Sequence, residues 1–132
     1  MKKFHLIFGA LVIITFLLTG QYMDRYHEHL RGMADGPRMM FRSRHIFILL
    51  SGLLHLGLGT YWQNRVNITQ RAFQLIGSAL ITIAPVFFLL GFIYEPWLEK
   101  LHGPYARVGI YAIAAGTLLH VVSGINERGA NM

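Results

Sequence analysis

The sequence predicts an all-α fold: an integral membrane four-helix bundle made by one domain over residues 1–132. Three observations carry this expectation. Hydrophobic residues make up 54% of the chain and charged residues only 14%, against about a quarter charged in an ordinary soluble domain. The apolar residues are gathered into four blocks with almost no internal charge, and a bilayer core needs roughly 20 apolar residues as a helix. Tyr22, Tyr61, Trp62, Tyr94, Trp97 and Tyr105 stand at block ends, where an interfacial aromatic belt belongs. A soluble enzyme, a disordered tail and a secreted disulfide scaffold are excluded by this composition.

The first span is expected over residues 4–22. Lys2 and Lys3 ahead of it resemble a signal-peptide start, but Leu18-Thr19-Gly20 places a bulky residue where cleavage wants a small one. It is therefore read as a span. A longer, amphipathic first loop comes next over residues 23–43, in which Met39-Met40-Phe41 dips into the interface while Arg38, Arg42 and Arg44 reach head groups. The second span covers residues 45–62, and a short turn leads to the third over residues 72–94. Gln74, Ser78 and Thr82 recur every four residues in span three, so they share one face and suit hydrogen bonding across a bundle. Pro85 is expected to kink that span or free a carbonyl. Residues 95–106 connect to the fourth span, residues 107–125, and Pro104 suits its helix start. The polar tail is Asn126–Met132.

Basic residues set the orientation. Arg25, Arg31, Arg38, Arg42, Arg44, Lys100 and Arg107 fall on the long-loop side, against Lys2, Lys3, Arg65, Arg71 and Arg128 on the side of the termini. The long-loop side is expected to be cytoplasmic. The location expected is a membrane, with the bacterial inner membrane as the specific reading. The formal charge of +6 is assigned to lipid head groups, not to nucleic acid. Membrane lipids are the expected partners, with a quinone, a redox partner subunit or a second copy of the chain as further candidates.

There is no cysteine, so disulfides, Fe–S clusters, covalent haem attachment and thiol nucleophiles are excluded. The spans contain no Asp or Glu, and no phosphate loop, HExxH motif or catalytic triad pattern is present. An enzyme of hydrolytic or nucleotide-dependent type is not expected. A faint internal repeat pairs two helix hairpins: Gly52-x-x-His55 with Gly116-x-x-x-His120, Gly36-Pro37 with Gly103-Pro104, and Gly9 with Gly77.

Two histidines carry the functional expectation. His55 and His120 fall near the middle of spans two and four, and an ionisable residue there is costly enough to mark a candidate site. Gly59 follows His55 by one turn, Gly116 and Gly124 flank His120, and Gly52 adds a small residue three before His55. Two opposed imidazoles on small-residue stripes suit bis-histidine ligation of haem b, in a small electron-transfer protein. The alternative is a non-catalytic accessory or structural membrane subunit whose histidines serve packing. His27, Glu28, His29, His45 and His102 gather on the long-loop side as a weaker metal-site candidate. His5 has no evident partner in sequence.

Overall fold

The structure, a computed structural model, describes residues 1–98 and 103–130, with side chains as far as Ile125. Glu99, Lys100 and His102, with their expected loop roles, lie outside the described residues. The described residues are all-helical. They form α1 (Lys2–His27), α2 (Asp35–Thr60), α3 (Ile68–Tyr94) and α4 (Pro104–Ala130), with one-turn 3-10 segments at Glu28–Leu30 and Glu95–Trp97.

The long first loop is mostly helix. α1 continues to His27 and α2 begins at Asp35, so the expected interfacial helix is the first third of α2. The reversal between them is tight because Glu28, His29, Leu30 and Gly32 take positive φ of 45°, 58°, 64° and 72°. Leu30 is buried and anchors this turn in the apolar core. α3 starts on Asn67, whose side chain accepts from the Thr69 backbone N–H at 2.9 Å, satisfying one of the free donors of a helix start. α4 opens on Pro104, as expected. It also runs through most of the expected polar tail.

α1, α3 and α4 are long and apolar enough to cross a membrane. α2 is long enough, but its first half carries Asp35, Arg38, Arg42, Arg44 and His45, and these dilute its apolar stretch. Of the four expected spans, three therefore meet the length and hydropathy of a membrane crossing among the described residues. α2 nevertheless turns Ile46, Leu50 and Leu53 outward, as α1 turns out Ile7, Leu11, Ile14 and Leu18, and α4 Tyr111, Leu118 and Ile125.

The helices pair as two antiparallel hairpins, α1 with α2 and α3 with α4, joined where α2 meets α3. The two hairpins cross in the same way. A Cβ on Gly9 would sit 3.0 Å from the His55 Cβ, and one on Gly77 would sit 2.8 Å from the Gly116 carbonyl and 2.9 Å from His120 Cδ2. In each case a glycine of the first helix admits a histidine-bearing turn of the second.

At the long-loop end the hairpins are tied by a buried ion pair. Arg44 Nε donates to Glu95 Oε2 at 2.6 Å, and Glu95 Oε1 accepts from the Ala106 backbone N–H at 2.9 Å. Glu95, the first residue of the connection expected over residues 95–106, is wholly buried. Arg44 likewise points inward, not to head groups. Gly103 packs directly against this pair, leaving no room for a Cβ beside Glu95 or Arg44. Removing one partner strands a buried charge. Arg44→Gln or Glu95→Gln is therefore expected to cost about 3–5 kcal/mol, while the double apolar replacement Arg44→Met/Glu95→Leu recovers most of it. Denaturant unfolding in detergent micelles measures this. A double variant as unstable as the singles would show that the pair is not acting as a unit.

Candidate functional site

All four helices send a polar side chain to one cluster at the opposite end, where the chain termini lie. Ser78 of α3 is its centre. The Ser78 Oγ lies 3.1 Å from His5 Nε2 of α1 and 3.1 Å from His120 Nε2 of α4. Beside it, His55 of α2 places Nδ1 at 2.9 Å from the Ser51 carbonyl and Nε2 at 3.4 Å from Thr82 Oγ1. Thr82 in turn donates to the Ser78 carbonyl at 2.7 Å. The His5 ring centroid is 5.3 Å from those of both His55 and Trp62, and Phe8 covers the outer side of His55 at 4.8 Å. Trp62 also meets His120 edge-on at 6.1 Å. His5, His55 and Ser78 are each 0% exposed.

Chemistry fixes some of the protons. A carbonyl only accepts, so His55 carries its proton on Nδ1, and its Nε2 faces the Thr82 hydroxyl. The Ser78 hydroxyl has one proton and two lone pairs. Lying between two imidazole nitrogens, it donates to one and accepts from the other, so the His5–Ser78–His120 chain has a direction. His5 Nδ1 is buried without a partner at its far end.

The expected site residues are brought inward, but not as a ligand pair. α3 stands between α2 and α4, and the Nε2 atoms of His55 and His120 both face its hydroxyls. The space beside the glycines near them is taken by neighbouring helices and, at Gly124, by the α2–α3 connection. A Cβ on Gly52 would meet Ile13 at 2.8 Å, and one on Gly59 would meet Leu6 at 2.6 Å. On α4, Gly116 meets the Gly77 carbonyl at 2.7 Å, and Gly124 meets the Arg65 guanidinium at 3.0 Å. Gly52, Gly59 and Gly116 are helix crossings. They leave no flat slot between the two imidazoles, so the arrangement does not fit a porphyrin held by His55 and His120. With α2 ending at Thr60, His55 lies about 7.5 Å from the helix end.

His5 is the residue that sequence reading missed. A legible signal exists: His5, His55 and His120 each have glycine four residues on, at Gly9, Gly59 and Gly124, and none of the other four histidines does. The described long-loop histidines do not converge. His29 pairs with Asp24 at 2.6 Å on the surface, His27 lies among Tyr22, Phe41 and Trp97, and His45 Nδ1 meets Thr19 Oγ1 at 2.9 Å. Among the described residues, no three His, Asp or Glu side chains are placed to hold one metal ion.

Ser78→Ala leaves two buried imidazole nitrogens without a partner and is expected to cost about 1–3 kcal/mol in detergent unfolding. Thr117→Ala is the control, because the Thr117 hydroxyl donates to the Ile113 carbonyl of its own helix, at 2.7 Å. Equal losses for the two variants would contradict the bridging role of Ser78. Comparison with protein-family models, with curated proteins and with solved structures finds no match for this chain.

Proposed function

We propose that this chain is an integral membrane protein of four crossing helices and a non-catalytic, structural or accessory role, with its histidines joining the helices. The observation that carries the reading is an inside-out distribution of polarity. His5, Ser51, His55, Ser78 and Glu95 are 0% exposed, while Ile7, Leu18 and Leu118 are more than 60% exposed. In water this would be costly twice over, once for the buried polar groups and once for the exposed apolar ones. In hydrocarbon both costs vanish, provided the interior polar groups bond to each other. The outward Ile46, Leu50 and Leu53 of α2 support a fourth crossing, since a helix lying in water would not present that face.

The matched glycine–histidine crossings of Gly9 with His55 and of Gly77 with His120 support reading the two hairpins as a duplicated unit. Helical spans, and no strand among the described residues, favour an inner-membrane setting over a barrel-bearing outer membrane. Electron transfer through haem b is the reading that the packing of α3 between the two histidines disfavours.

One preparation tests both points. The protein is expected to stay in the membrane pellet through an alkaline carbonate wash and to need detergent for release. The purified protein is expected to show no Soret band, oxidised or dithionite-reduced, after expression with ample haem. A Soret band with sharp reduced α and β bands, lost in His55→Ala and His120→Ala, would replace this reading with a b-type cytochrome.

A further inference from the structure

Apart from the contacts of His5 with Ser78 and of Tyr22 with Phe92, α1 and α3 make little close approach, and the seam between them is a groove that runs much of the bundle's length. Three cavities of about 420, 150 and 350 Å³ lie along it in order. They are contiguous: Phe8 and Val86 line both the first and the second, and Thr15 and Leu89 both the second and the third. From Leu75 to Ile93 the groove follows α3 for about 27 Å. Its walls are almost wholly apolar.

One mouth is cationic. It opens at the end where the termini lie, between Phe4 of α1 and Leu75 of α3. Lys2 and Lys3 precede Phe4, and Arg71 sits one turn before Leu75 on the same helix face. All three are exposed, and none takes part in a described ion pair. Asp24, Glu28, Asp35 and Glu95 belong to the other end, and Glu127 is the one acidic residue that α4 carries at this end.

Resting on the membrane reading above, we propose that this seam is a binding site for an anionic phospholipid. One acyl chain lies in the groove, and the phosphate meets Lys2, Lys3 and Arg71. The narrow waist at Phe8 and Val86 decides against a partner helix. A cavity of about 150 Å³ there takes a run of methylenes but not a helix about 10–12 Å across. The cationic mouth decides for an anionic head group over a zwitterionic one, because each basic residue at a membrane surface adds attraction for negative lipid.

The test is native mass spectrometry of the full chain released from detergent micelles, with phosphatidylglycerol or phosphatidylcholine of the same acyl chains added. Phosphatidylglycerol adducts are expected to survive preferentially, and each charge removed in Lys2→Gln, Lys3→Gln and Arg71→Gln is expected to weaken retention about fivefold. Ala79→Phe fills the groove from an exposed wall position and is expected to abolish adducts of both lipids while helicity and unfolding stay as in the parent. Val86→Trp, at the waist, is the second groove variant. Equal retention of the two lipids, or adducts that persist in both groove variants, would overturn the proposal while leaving the membrane reading intact. A quinone co-purifying with the parent and absent from Ala79→Phe would also overturn it. A protein that stays dispersed without detergent would instead defeat the membrane reading on which it rests.

Discussion

The structure depends on one constraint: its polar side chains must satisfy each other, because the outside of the bundle is apolar. An isolated polar group inside such a bundle loses its water and gains nothing. The chain meets the constraint at two places. At one end Arg44 and Glu95 neutralise each other, and Glu95 turns its second oxygen to the start of α4. At the other end His5, His55 and His120 share the hydroxyls of Ser78 and Thr82. Between the two lies an apolar layer that includes Val12, Ile48, Ala84 and Phe88. The Arg44–Glu95 cluster closes on itself, the histidine cluster keeps one open end at His5 Nδ1, and the arrangement has the character of two clasps.

α3 is the element on which both clasps turn. It supplies Ser78 and Thr82 to one, and its end leads straight into Glu95 at the other. Its glycines let α4 approach: Gly77 at the histidine end, and Gly91 beside Glu95 and the Ala106 backbone. Close approach at small residues is the usual basis of helix association in lipid, where burial of apolar surface gives no drive. In the proposed membrane setting, polar clasps and glycine crossings replace the hydrophobic drive that joins helices in water.

The helical class and the approximate position of each apolar block are legible in the sequence because hydropathy and length report directly on helix burial in lipid. The polar stripe of Gln74, Ser78 and Thr82 is legible too, since period four is local information. Gln74 bonds the Gln63 carbonyl at 2.8 Å, and Ser78 and Thr82 reach the histidines. The partners are not local, and there the reading fails. Nothing near Glu95 in sequence announces Arg44, and a loop position was the natural expectation for a carboxylate beside Pro96. His5, close to the start of the first span, gains its meaning only when α1 brings it against Ser78. The glycines near His55 and His120 read equally well as room for a porphyrin or as helix crossings. Only the neighbours Leu6, Ile13 and Ile81 separate the two.

The most direct test of four crossings is single-cysteine labelling, which the absence of native cysteine makes clean. Lys2→Cys, Ala34→Cys and Val66→Cys are all at exposed positions. With a membrane-impermeant maleimide on sealed, oriented vesicles, four crossings predict that Lys2→Cys and Val66→Cys label from the same side and Ala34→Cys from the opposite side. If Ala34→Cys and Val66→Cys label from one side together, α2 does not cross, and the four-helix membrane bundle is contradicted.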